Sequence, residues 1–60
     1  MKTYEIEFTS RTFRSYYVNA KSESEASEMA IKFLEEDVEV SKAWKENSDI
    51  NYIEQLPESE

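Results

Sequence analysis

Sixty residues without a cysteine or a histidine allow one thin domain that buries only about 60% of its unfolded surface; disulfides and the common zinc sites are excluded, and a partner subunit is the remaining support, so a homodimer is the default expectation. Fourteen acids against seven bases leave a net charge of −7, unevenly spread: residues 1–21 hold Lys2, Arg11, Arg14 and Lys21 against Glu5 and Glu7 (+2), while residues 22–60 hold twelve acids against Lys32, Lys42 and Lys45 (−9). Such a surface repels nucleic-acid phosphates and attracts basic proteins, which argues against direct nucleic-acid binding.

Residues 2–9 alternate, with Tyr4, Ile6 and Phe8 on one side and Thr3, Glu5, Glu7 and Thr9 on the other, the period of a half-buried strand. Residues 13–20 form a second β-rich run, and the polar link Ser10-Arg11-Thr12 predicts an antiparallel hairpin. A two-residue turn pairs Phe8 with Phe13 and sets Tyr17 beside Tyr4. A three-residue loop instead puts Arg14, Tyr16, Val18 and Ala20 on the face of Ile6 and Phe8. The tip has neither the Gly nor the Asn that tight primed turns favour. The longer loop is therefore preferred, and it leaves Phe13 and Tyr17 on the outer face.

Ser22 with Glu25 fits a capping box, Ser24 being the rival N-cap. Ala26, Met29, Ala30, Phe33 and Leu34 follow helical spacing. Adding Ile31 and Val38 widens the apolar arc to roughly 200°, at about 100° per residue; that exceeds what one sheet face needs, so these two are expected to cover a neighbour. The helix should end near Glu36 or Asp37, where acids oppose the macrodipole and fray the last turn. Residues 38–48 have two readings: Ser41 caps a single helical turn carrying Trp44, or the stretch is an ordered loop. Residues 49–56 read as a third strand with imperfect alternation, stopped by Pro57, and residues 57–60 as a flexible acidic tail. The expected fold is α+β, one domain over residues 1–60: a three-stranded antiparallel sheet with one helix on one face, in the order ββαβ, and an optional helical turn before the last strand.

A chain without glycine cannot build phosphate-cradling loops, dinucleotide fingerprints or a nucleophile elbow, all of which need Gly for close backbone approach or positive φ. Without His or Cys the commonest general base and the best nucleophile are missing. A tuned carboxylate pair needs a desolvated cleft that a single sheet-and-helix layer hardly forms. The chain is expected to be no enzyme and to use no cofactor. No stretch approaches the roughly 20 apolar residues of a membrane span, and Met1–Ile6 is too charged for a signal peptide; the expected location is cytoplasmic.

What remains is binding. Glu35, Glu36, Asp37 and Glu39 are the densest acidic run and, with Glu28, form the candidate acidic docking surface. The ordinary alternative is a solvated helix end. A calcium loop is not expected, because the run lacks ligands at alternate positions and a Gly turn. Phe13, Tyr17, Ile31 and Trp44 are the candidate apolar interface, since aromatics dominate interface energetics. Trp44 and Tyr52 are more readily explained as core, whereas Phe13 and Tyr17 face outward from a sheet with only one helix to hide them. Arg11 and Arg14 near the hairpin tip are candidates for an anion or for the acidic half of a second copy.

Val18-Asn19-Ala20-Lys21-Ser22-Glu23-Ser24-Glu25-Ala26, preceded by Tyr4-Glu5-Ile6-Glu7-Phe8, resembles a recurrent opening of small phage and mobile-element proteins: a hairpin ending in Val-x-Ala, then Ser-x-x-Glu-Ala starting the helix that folds back. The DpnD/PcfM-like family looks like this, as do some small anti-CRISPR proteins. The resemblance spans roughly residues 3–34 and implies a small accessory protein of a phage or mobile element. Joined to the acidic surface, it gives the expected function: binding and inhibiting or modulating a larger, basic, nucleic-acid-binding protein, in an anti-defence or anti-CRISPR setting. The alternative is a homo-oligomeric scaffold or ligand-sequestering module.

Overall fold

Because β1 (Lys2–Thr9) carries its apolar residues on one side, it can pair on both edges and still offer a continuous apolar face. It does so in the computed structural model, which describes residues 1–57: the sheet order is β2-β1-β3, with β2 spanning Phe13–Ala20 and β3 spanning Asp49–Gln55. Both pairings are antiparallel, so β2 and β3 run parallel to each other on either side of β1. The α1 helix (Glu23–Glu36) and the short α2 helix (Lys42–Asn47) lie in the connection between them. The fold is α+β in the order expected, and of the acidic tail at 57–60 only Pro57, exposed, lies within the described residues.

Thr9 faces Phe13 and Lys2 faces Ala20, so the hairpin turns through the three-residue loop. No described residue has positive φ. The reversal is closed by the Ser10 amide donating to the Thr12 carbonyl at 2.9 Å, a geometry that needs no glycine. Tyr4, Ile6, Phe8, Val18 and Ala20 thereby meet Ala26, Ala30 and Leu34 in one buried cluster. Alanines at the contact let helix and sheet backbones approach closely. Ile6, in the middle of the middle strand, is fully inaccessible.

The α1 helix starts where its cap lies. Ser22 Oγ accepts from the Glu25 amide at 3.2 Å. The return bond of the capping box differs from expectation, since the Glu25 carboxylate accepts from the Lys21 amide, not from Ser22. Replacing Ser22 with Ala should cost about 1 kcal/mol, and replacing Ser24 should cost less than half as much; thermal unfolding of the two variants checks which serine caps the helix. The far end is firmer than its acids suggest. Lys45 Nζ from α2 donates to the Glu35 carbonyl at 2.9 Å, placing a cation on the negative end of the dipole, and the Asp37 amide closes on the Leu34 carbonyl.

Ser41 does cap a short helix, its Oγ accepting from the Trp44 amide. The irregular alternation of β3 has a physical cause. Glu7 faces Tyr52 but Phe8 faces Ile50, so Asn51 is an extra residue in a β-bulge. Ile50 and Ile53, three apart, can then both lie on the inner side, and Tyr52 turns outward. The reading of Tyr52 as core is thus corrected: it is 39% exposed on the open face. Among the described residues, no helix is long and apolar enough to cross a membrane.

Candidate functional site

Paired residues of antiparallel strands share a face, so the register defines the side of the sheet that α1 does not cover. Glu5 lies opposite Tyr17 on β2 and opposite Glu54 on β3; Glu7 lies opposite Ser15 and Tyr52; Thr9 lies opposite Phe13 and Asp49. This face therefore combines four carboxylates with three aromatic rings, and no lysine or arginine occupies an outward strand position of the described sheet. Phe13 is 70% and Tyr17 62% exposed.

The groups on this face are already organised. The Tyr17 hydroxyl donates to Glu5 Oε2 at 3.3 Å, and Asn51 Nδ2 donates to Glu7 Oε2 at 2.8 Å. The negative charge of Glu5, then burial and the hydrogen bond, raise the Tyr17 hydroxyl above its ordinary pKa. Burial first, then the charges of Glu5 and Glu7, raise that of Tyr52. Both tyrosines thus remain neutral beside the carboxylates.

The acidic run at the end of α1 is partly engaged by the chain itself. Asp37 Oδ2 accepts from Arg14 Nε at 2.9 Å and from the Tyr16 hydroxyl at 2.7 Å, and the Asp37 side chain is only 15% exposed. Arg14 Nη2 also donates to Glu39 Oε1 at 2.8 Å. Asp37 leaves the set of available carboxylates, and Glu39 is shared with Arg14. The Tyr16 bond, then the Glu39 amide and Arg14, hold the Asp37 carboxyl below the usual range, against a smaller opposing effect of burial. Arg14 is likewise engaged within its own chain and is not offered to an anion or a second copy; Arg11 is exposed. Glu28, Glu35 and Glu36 are exposed along α1.

Trp44, a candidate interface residue, packs partly buried against the core, with its indole Nε1 donating to Thr12 Oγ1 at 3.3 Å. Val38, expected to cover a neighbour, is 96% exposed and covers nothing. Ile31, 42% exposed, lines a groove of about 690 Å³ with Phe8, Leu34, Lys42, Lys45 and Ile50. This groove opens because α1 packs chiefly over β2, leaving the inner side of β3 partly bare. Among the described residues, no three acidic side chains converge as a metal site would require. Sequence reasoning placed Glu5 and Glu7 outward without assigning them a role, weighed Tyr52 as an interface anchor but preferred it as core, and missed Glu54 and Asp49. Their signal was the odd spacing of Ile50 and Ile53, which betrays the bulge. No family model matches this chain, and no curated protein or solved structure is detectably similar to it.

Proposed function

We propose that this chain is a non-enzymatic binding protein that docks on a basic surface of a larger protein through the open face of its sheet. One observation carries the reading: that face presents Glu5, Glu7, Asp49 and Glu54 among Phe13, Tyr17 and Tyr52, with no base at an outward strand position. Carboxylates at an interface steer a basic partner and set its orientation, and exposed aromatics supply the contact area that holds it. The site therefore moves from the helix side, where the sequence first directs attention, to the sheet. A basic surface that normally holds nucleic acid is the natural complement. Covering it would make the chain an inhibitor or modulator, in keeping with the phage and mobile-element resemblance of residues 3–34 and with an anti-defence role.

Self-association is the second reading. It gains support from Ile31 and Ile50 in the apolar groove, but it does not use the sheet face, where two copies would oppose carboxylate to carboxylate. Sedimentation at high concentration tests it: a strict monomer removes self-association and leaves the docking reading standing.

The test is capture on the immobilised chain at low salt, followed by affinity measurements on each captured protein. Partners should be basic and should dissociate as salt rises, because screening weakens exposed charge pairs. The triple change Glu5→Gln, Glu7→Gln, Glu54→Gln should weaken binding about tenfold or more. Glu28→Gln with Glu36→Gln should leave it nearly unchanged. Loss with the helix pair and not with the sheet triple would remove the sheet face from consideration, and affinity flat in salt would remove the electrostatic account altogether.

A further inference from the structure

We propose, building on the docking role above, that the sheet face is an arginine receptor: a guanidinium of the partner seats on Glu5 between the rings of Tyr17 and Tyr52, with Glu7 and Glu54 as flanking acceptors. Glu5 stands on the central strand, Tyr17 directly across from it on β2, and Tyr52 diagonally across on β3. Neighbouring strands lie about 4.8 Å apart and diagonal neighbours about 7–8 Å, still within reach of aromatic side chains, so Tyr17 from directly across and Tyr52 from the diagonal can each bring a ring within the ~6 Å at which it attracts a cation held over β1. The Tyr17 hydroxyl already reaches Glu5 at 3.3 Å, which draws that ring toward the carboxylate. A carboxylate has about four lone-pair sites, so acceptor capacity remains on Glu5 for a two-pronged donor.

Arginine fits this arrangement better than lysine does. Its guanidinium is planar, weakly hydrated and forked, so it can stack on a ring while donating two parallel bonds to one carboxylate. An ammonium is a compact, strongly hydrated charge that gains less from the rings. A surface meant only to attract positive charge would need carboxylates alone; the three aromatics among them are what discriminate. Phe13, 70% exposed at the hairpin end of the same face, offers apolar surface for a neighbouring side chain of the same partner. A second copy of this chain is a poor source of the guanidinium, because Arg14 is held by Asp37 and Glu39 and leaves Arg11 as the one other arginine in the sequence. The occupant is a different protein with an arginine-rich surface.

The test uses blocked tetra-arginine and tetra-lysine peptides, titrated at low salt into the ¹⁵N-labelled chain and followed by amide chemical shifts. The arginine peptide should bind about three- to tenfold more tightly, with shifts centred on Glu5, Tyr17 and Tyr52. In the double variant Tyr17→Leu, Tyr52→Leu the preference should fall to about one while the lysine peptide keeps its affinity; Tyr17→Thr, a strand-favouring replacement on an edge, serves the same purpose if the double variant loses its fold. Equal affinity of the two peptides, with shifts still on the sheet face, would overturn the arginine receptor and leave docking on a basic surface standing. Shifts confined to the exposed side of α1, or no binding of either peptide, would overturn both.

Discussion

Replacing Ile6 with Ala is expected to leave the chain largely unfolded at room temperature. Ile6 is the largest fully buried side chain and sits at the centre of the central strand, paired with Tyr16 on one side and Ile53 on the other. Removing its three outer carbons loses transfer free energy and leaves a cavity, together about 3–4 kcal/mol. The total stability of so short a chain is only a few kcal/mol. The buried cluster otherwise contains three alanines, small residues that cannot swing in to fill the space. Circular dichroism during heating should show a cooperative transition for the parent chain and none for the variant. Ile6→Val, losing one methyl, should still melt cooperatively at a cost of about 1 kcal/mol. A cooperative melt of Ile6→Ala near the parent midpoint would mean that the core is held elsewhere, with the groove beneath Ile31 and Ile50 the first place to look.

The second large effect is expected at the junction that ties the segment after α1 to the hairpin. Tyr16→Phe removes a 2.7 Å hydrogen bond to a charged acceptor and should cost about 1.5–2 kcal/mol near neutral pH, the lower part of the range for such bonds because the site is partly open to water. The pH dependence identifies the cause. The folded-state pKa of Asp37 lies below its ordinary value, with the Tyr16 bond the largest contribution. The stability it confers is therefore fully present above about pH 4 and is lost as the pH falls through the depressed value. Tyr16 has the opposite sign: its pKa is raised, first by burial and then by the bond to Asp37. Its contribution is present below about pH 10 and is lost as the pH rises through the raised value. The stability difference between parent and variant should thus be widest in the middle of the range and should narrow toward both extremes. Comparing the two proteins cancels the general relief of self-repulsion that acid brings to a chain of charge −7. Chemical denaturation at a series of pH values reads this directly. A difference that stays constant from pH 3 to pH 7 would assign the effect to packing of the ring, including its edge-on contact with Phe8 at 5.9 Å, and not to the carboxylate.

The local pattern along the chain determined the elements themselves. Strict alternation set the inner and outer faces of β1, the lack of Gly or Asn at the hairpin tip pointed to the longer loop, Ser22 marked the start of α1 with Ser24 as its rival, and Ser41 left a capped helical turn and an ordered loop both open. All of these are effects between residues a few positions apart, which is why they can be read in order. What only the tertiary structure decided are meetings between distant segments. Arg14 finds Asp37 across 23 positions, so an acidic run that looked free along the sequence is partly occupied. Lys45 reaches back to the end of α1 and steadies a turn whose own charges oppose it. The bulge at Asn51 lets β3 keep both Ile50 and Ile53 on the inner side while pairing with β1, and with it Tyr52 turns outward beside Glu7. Composition disclosed that the protein is acidic; the sheet register decided that several acids gather with aromatic rings where no described outward strand position carries a base, because pairing, not sequence proximity, sets which side chains share a surface.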